Sequence, residues 1–327
     1  MKKILWELVI ILVLAVAVAL LTMALLNGDS ENAQTTKPTT TPQETEEPTV
    51  PEETQAPTKP EDTVPEITWM TFPADRTITA QQYFVYDVYA DEFVVISGPE
   101  DEKIYPASVT KLFTCLTALR HLKPEQTLTV GDELDLVVAG SSVAGLQKGD
   151  QLTVSQLVEA MLLPSGNDAA YVLAYNVGKK LSGSTDVDTC ITAFMKAMND
   201  RASNLGMKGT NFANPDGIHR ENHYMTFRDL AFLGRLAAQN ETVVKNATLP
   251  KDDAMGWKNT NAIINPESEY YCPYAVGLKT GQTPYAGSCL LSAFDIGSKL
   301  YVVGVFGCPD SASRFCDTLQ LFNQTLK

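Results

Sequence analysis

An almost unbroken apolar run from Leu8 to Leu26, interrupted only by Thr22, constrains this chain most, because such a stretch does not join an ordinary soluble core. About twenty apolar residues cross a bilayer as a helix, whereas a cleavable signal needs only about 7 to 15. Lys2 and Lys3 precede the run and stay in the cytoplasm under the positive-inside rule, so everything after Leu26 is expected outside. Residues 1–27 are read as a transmembrane anchor or signal segment, with retention favoured by length. Residues 28–66 are rich in Thr, Pro, Glu, Ser and Gln and scarcely aliphatic. Such a segment cannot bury enough surface to offset ordering entropy, and a disordered stalk is expected. That leaves 67–327 as the folded domain.

The formal charge of −14 is concentrated in the stalk, where ten acids face two lysines. The folded part is therefore only mildly acidic, which argues against nucleic-acid binding. The three histidines, His121, His219 and His223, form no HExxH pattern, and the six cysteines have no metal-ligand spacing. No metal and no cofactor is expected. A domain of this size folds without staples, so the cysteines are read as mostly buried free thiols, although an exported domain permits disulfides.

Strand patterns at Gln82–Asp91 and Glu92–Ser97 are joined by a short polar turn. Apolar residues at helical spacing then mark Ala107–His121, with Ser108 in its first turn. Further helices are expected at Val154–Leu163, Asn167–Lys180, Asp186–Leu205 and Thr226–Asn240, and strands at Ala275–Thr280, Gly287–Phe294 and Lys299–Gly307. A last helix is read near Ser313–Leu326. Strands at both ends with helices between them predict an α+β fold: an antiparallel sheet flanked by helices, with a mostly helical second lobe.

Three short motifs fall on these elements. Ser108-Val109-Thr110-Lys111 puts an amine one helical turn from a hydroxyl, a nucleophile beside a base, provided that burial keeps the amine neutral. Ser-x-x-Lys alone is expected roughly once by chance in such a chain. Ser165-Gly166-Asn167 lies at a turn between helices and, taken alone, reads first as simple helix capping, with a hydroxyl that could pass a proton to a leaving group as the functional reading. Lys279-Thr280-Gly281, placed at the end of a strand, offers a cation and a hydroxyl to a carboxylate, with a glycine that lets a peptide lie close as an added strand. Their occurrence in this order on helix, turn and strand is the signature shared by class A β-lactamases and penicillin-binding proteins.

Around these motifs the chain resembles the low-molecular-mass penicillin-binding proteins, the serine D-alanyl-D-alanine carboxypeptidases, from about Gln82 onward. The resemblance includes Gly-Ser-Ser at 140–142, Pro-Ser-Gly-Asn-Asp-Ala-Ala at 164–170, Leu-Gly-Met at 205–207, Asn-Pro-Asp-Gly at 214–217, Asn-Thr-Asn at 259–261 and Gly-Leu-Lys-Thr-Gly-Gln-Thr at 277–283. It implies a β-lactamase/transpeptidase-like fold and removal of the terminal D-alanine from peptidoglycan stem peptides outside a bacterial membrane, with penicillins as acylating inhibitors. It further implies Ser108 as nucleophile, Lys111 as base and Ser165 as proton relay. Asn167 would orient Lys111 and the substrate amide, Lys279 and Thr280 would hold the terminal carboxylate, and Lys279 would help keep Lys111 neutral. The backbone N–H groups of Ser108 and Gln282 would form the oxyanion hole, and Arg314 would assist with the carboxylate. Met225, Gln282 and Asp216 depart from common family residues without removing a catalytic group. The alternatives are a serine β-lactamase, for which no Glu-x-x-Leu-Asn segment lies between Ser165 and Lys279, and a penicillin-sensing domain without turnover.

Overall fold

The structure, a computed structural model, describes residues 76–326. The anchor and stalk expected at 1–27 and 28–66, and the first residues of the domain expected at 67–327, lie outside the described residues. Among the described residues, no helix is long and apolar enough to cross a membrane.

Five antiparallel strands form the sheet: β1 (Gln82–Asp87), β2 (Glu92–Ile96), β3 (Ala275–Thr283), β4 (Gly287–Asp295) and β5 (Leu300–Cys308), in the order β2-β1-β5-β4-β3. The two ends of the described chain meet where β1 pairs with β5, Gln82 opposite Phe306 and Asp87 opposite Tyr301. Side chains alternate across the sheet, as a two-residue period requires. Leu290, Phe294, Val303 and Val305 enter one core beneath the C-terminal helix, while Leu291, Ala293, Val302 and Phe306 enter a second, larger core.

The helices are α1 (Thr110–Ala118), α2 (Val154–Leu162), α3 (Asn167–Ser182), α4 (Val187–Asn204), α5 (Phe227–Ala238), α6 (Glu241–Ala247) and α7 (Ser311–Thr325). Helix α7 covers one face of the sheet, with Phe322 stacked on Phe294 at 4.0 Å. Helix α5 packs on the other face, and α1 to α4 form the helical lobe beside it. Local chemistry sets the boundaries. Thr153 and Gln156 close a capping box on α2, and α3 ends at Gly183 in the left-handed conformation. The side chains of Asp186, Thr226, Asn240 and Asp310 cap α4 to α7, each accepting a hydrogen bond from a first-turn N–H.

Most boundaries shift by one to four residues from the sequence reading, and three of the shifts bear on the site or have a clear local cause. Strand β1 stops at Asp87 because the Asp87 carboxylate accepts the N–H groups of Tyr89 and Ala90, both at 3.0 Å, and turns the chain. The helix expected from Ala107 begins as a 3-10 turn over Ala107–Val109 and becomes α-helical at Thr110, since Ala107 has a positive φ of 48°. Strand β3 runs on to Thr283, so Lys279-Thr280-Gly281 lies within a strand and not at its end. Helix α6 and three short ladders, among them Lys251–Asp252 with Trp257–Lys258, are too short to show a period in sequence. All six cysteines are free thiols, five of them buried and Cys316 partly so.

Candidate active site

The turn Pro106-Ala107-Ser108 is gripped from two sides. Gly281 of β3 packs so close that a Cβ there would stand 3.0 Å from the Pro106 carbonyl oxygen and 3.1 Å from the Ser108 nitrogen. On the other side a Cβ at Gly217, whose φ is +87°, would fall 1.9 Å from the Ala107 carbonyl oxygen. Only glycine fits at 217, on grounds of both space and conformation.

The loop carrying Gly217 is tied to α1. Thr114 donates a hydrogen bond to the Pro215 carbonyl at 2.6 Å, and His223 bridges to Thr110 at 2.8 Å while its Nδ1 accepts the Ala213 N–H at 3.1 Å. Burial pushes His223 down to about 3, so it is a neutral imidazole. These ties place the Asp216 carbonyl beside α1. Lys111 Nζ donates to that carbonyl and to Ser108 Oγ, both at 2.8 Å.

Lys111 is completely buried, and burial brings its amine down to about 8 against the opposing pull of Asp216 and Asp168. Roughly a tenth of the molecules then carry a neutral amine at pH 7. Lys279, 1% exposed, is lowered well below the ordinary lysine range by burial and by the nearby cations Lys111 and Arg314. The repulsion is mutual, since a proton on either lysine opposes a proton on the other. Lys279 Nζ donates to the Thr280 carbonyl at 3.1 Å, and Arg314, from α7, donates to the Gly281 carbonyl at 3.3 Å. Arg314 Nε is buried without a hydrogen-bond partner among the described residues.

Ser165 sits in a strained turn with φ 65°, almost fully buried. Its neighbour Asn167 is buried as well, and the Asn167 N–H is bonded to the Ser142 carbonyl at 2.9 Å. The Asp168 carboxylate accepts the N–H groups of Ala144 and Gly145 at 2.9 Å and of Leu146 at 3.1 Å, clamping that loop to the start of α3. Trp257 Nε1 holds the Ala144 carbonyl at 2.9 Å. Thr260 spans the gap to the sheet: its N–H donates to the Leu163 carbonyl at 3.0 Å and its hydroxyl bonds the Thr280 hydroxyl at 2.5 Å.

The structure thus brings Ser108, Lys111, Lys279, Thr280, Gly281 and Arg314 together directly. Ser165 and Asn167 are joined to them through Leu163, Thr260 and Thr280. The group that orients Lys111 is the main-chain carbonyl of Asp216, and no hydrogen bond from Asn167 to Lys111 occurs among the described residues. Gln282 is exposed on β3 opposite Ser288. Asp168, Thr260 and Trp257 had been given no role from sequence, because each acts on a partner far along the chain.

The sequence profile of the D-alanyl-D-alanine carboxypeptidases, peptidase family S11, matches residues 69–309. The chain belongs to this family. A D-alanyl-D-alanine carboxypeptidase of Streptomyces sp. (strain K15) is 33% identical over 241 residues, 68% of this chain and 79% of that protein. The carboxypeptidase DacF of Bacillus subtilis is 29% identical over 232 residues, again 68% of this chain but 56% of the relative's length. The crystal structure of the Streptomyces K15 DD-transpeptidase superposes with a TM-score of 0.67 at 29% identity, covering 78% of this chain and 98% of that one. Penicillin-binding protein D2 of Listeria monocytogenes, in a cefotaxime-bound form, gives 0.64 at 26% identity, covering 78% of this chain and all of that one. The β-lactamase/transpeptidase fold follows from family membership, from these neighbours and from the antiparallel sheet together.

Proposed function

We propose that this family member removes the terminal D-alanine from peptidoglycan stem peptides through an acyl-enzyme on Ser108. The observation that carries the reading is the Lys111 amine, buried, depressed to about 8 and 2.8 Å from Ser108 Oγ. In its neutral form Lys111 takes the Ser108 proton as Oγ attacks the carbonyl between the two D-alanines. The N–H groups of Ser108 and Gln282 stabilise the oxyanion, the preorganised dipole arrangement a tetrahedral intermediate needs. The C–N bond breaks as the departing amine receives a proton relayed through Ser165, and water then releases the shortened peptide from Ser108. Asn167 holds the substrate amide. Lys279, Thr280 and Arg314 hold the terminal carboxylate, whose charge relieves the repulsion among those buried cations. A β-lactam that presents a carbonyl and a carboxylate at the same spacing acylates Ser108 in the same way. The apolar run at Leu8–Leu26 keeps the enzyme on the outer face of the bacterial membrane.

The full chain in detergent micelles should release D-alanine from a peptide ending in D-Ala-D-Ala and form a long-lived penicillin adduct. Ser108→Ala should abolish both. D-alanine release that persists in the variant, or an adduct on another residue by mass spectrometry, refutes the assignment, and rapid turnover of penicillin replaces it with a β-lactamase.

A further inference from the structure

Three chain segments that converge on the nucleophile turn also bring three aromatic rings together. Tyr105 stands three residues before Ser108, His219 two residues after Gly217, and Tyr285 on the β3–β4 hairpin four residues after Gly281. The His219 and Tyr285 rings stack at 3.9 Å and 12°, and Tyr105 meets His219 edge to face at 4.7 Å and 83°. Tyr285 is nevertheless 71% exposed and Tyr105 38%. A single exposed tyrosine needs no explanation, but one stacked flat on a histidine that a second tyrosine braces edge-on, beside a reactive serine, is a preformed surface.

The direction of the substrate says what meets it. Strand β3 is the sheet edge, and among the described residues no strand pairs with its outer side, where an extended peptide can add. On the carboxypeptidase reading, the terminal carboxylate lies at Lys279 and Thr280 and the scissile carbonyl at Ser108 and Gln282. The peptide therefore runs antiparallel to β3, and its earlier residues continue past Gln282 toward the hairpin. At about 3.4 Å per residue, the residue before the two D-alanines lies one step past Gln282, and a long side chain there extends on toward the rings.

We propose that Tyr105, His219 and Tyr285 form an aromatic shelf that selects the residue preceding D-Ala-D-Ala, favouring an extended aliphatic side chain lying on the Tyr285 face. The inference rests on the carboxypeptidase reading and adds a specificity determinant to it. The test compares kcat/KM of the full chain on two acetylated tripeptides, norleucine-D-Ala-D-Ala and glycine-D-Ala-D-Ala. Norleucine should be preferred about tenfold, the effect of covering two methylene groups. Tyr285→Ala should bring the ratio to about one, and Tyr285→Phe, which keeps the face, should retain it. A wild-type ratio near one, or a ratio unchanged in Tyr285→Ala, overturns the shelf while leaving the carboxypeptidase standing. Release of D-alanine from neither peptide overturns both.

Discussion

Two serines in this molecule sit at the start of helices in strained backbone, and they are held there by different means. Ala107, just before Ser108, has φ 48°, and Ser165 itself has φ 65°; of the non-glycine residues described, only Asp91 shares this conformation. Such strain persists only where the surroundings over-determine it. At Ser108 the support is close packing, with Gly217 and Gly281 pressed against the turn and Lys111 bonded one helical turn away. At Ser165 it is polar, a buried carboxylate on three backbone N–H groups and the Thr260 bridge to the sheet. Ser108 is thus fixed by exclusion of volume, and Ser165 by hydrogen bonds that a single atom change can remove.

The largest effect that tests this contrast should come from Gly217→Ala. A Cβ 1.9 Å from the Ala107 carbonyl forces the turn to move, at a cost of about 3 kcal/mol in stability and at least about 100-fold in Ser108 acylation by a fluorescent penicillin. A variant that acylates normally removes packing as the explanation. Next in size, Asp168→Asn keeps the shape of its side chain but puts a donor where an N–H must be accepted. Denaturant titration should show a loss of about 2 kcal/mol, with acylation slowed roughly tenfold.

The position of the midpoint in the pH profile gives the smallest and most discriminating effect. Lys111 acts as a base only when neutral, and its neutral fraction falls about tenfold for each pH unit below its value near 8. Acylation should therefore rise about tenfold from pH 6 to 7 and level off above 8. The Asp168 carboxylate raises Lys111, so in Asp168→Asn the midpoint should move to lower pH even as the plateau drops. A midpoint that stays put would mean that the Ser165 side does not act on the base at all.

Much of this site was legible in the chain because its chemistry is carried by side chains at fixed short spacings. Ser108 and Lys111 are three apart on a helix, and Lys279 and Thr280 are adjacent on a strand, so helix and strand geometry alone supply their relation. What supports them was not legible. Asp168 reads as an ordinary first-turn acid until the 144–146 loop folds over it, and Thr260 becomes a bridge only once Leu163 and Thr280 are neighbours in space. Helix α6 leaves no mark in the sequence for a different reason, since seven residues hold too few turns to display a period.

The contact between Lys111 and the carbonyl of residue 216 has a practical corollary for genetics. A peptide oxygen is encoded by no codon, so an alanine scan would replace the aspartate carboxylate and leave in place the oxygen that steers the amine. A survey of side chains would therefore report only on the carboxylate, whose charge also acts on Lys111, and never on the carbonyl. Exchanging the amide for an ester, which swaps the N–H of residue 217 for oxygen and weakens the acceptor at 216, is the substitution that reaches it.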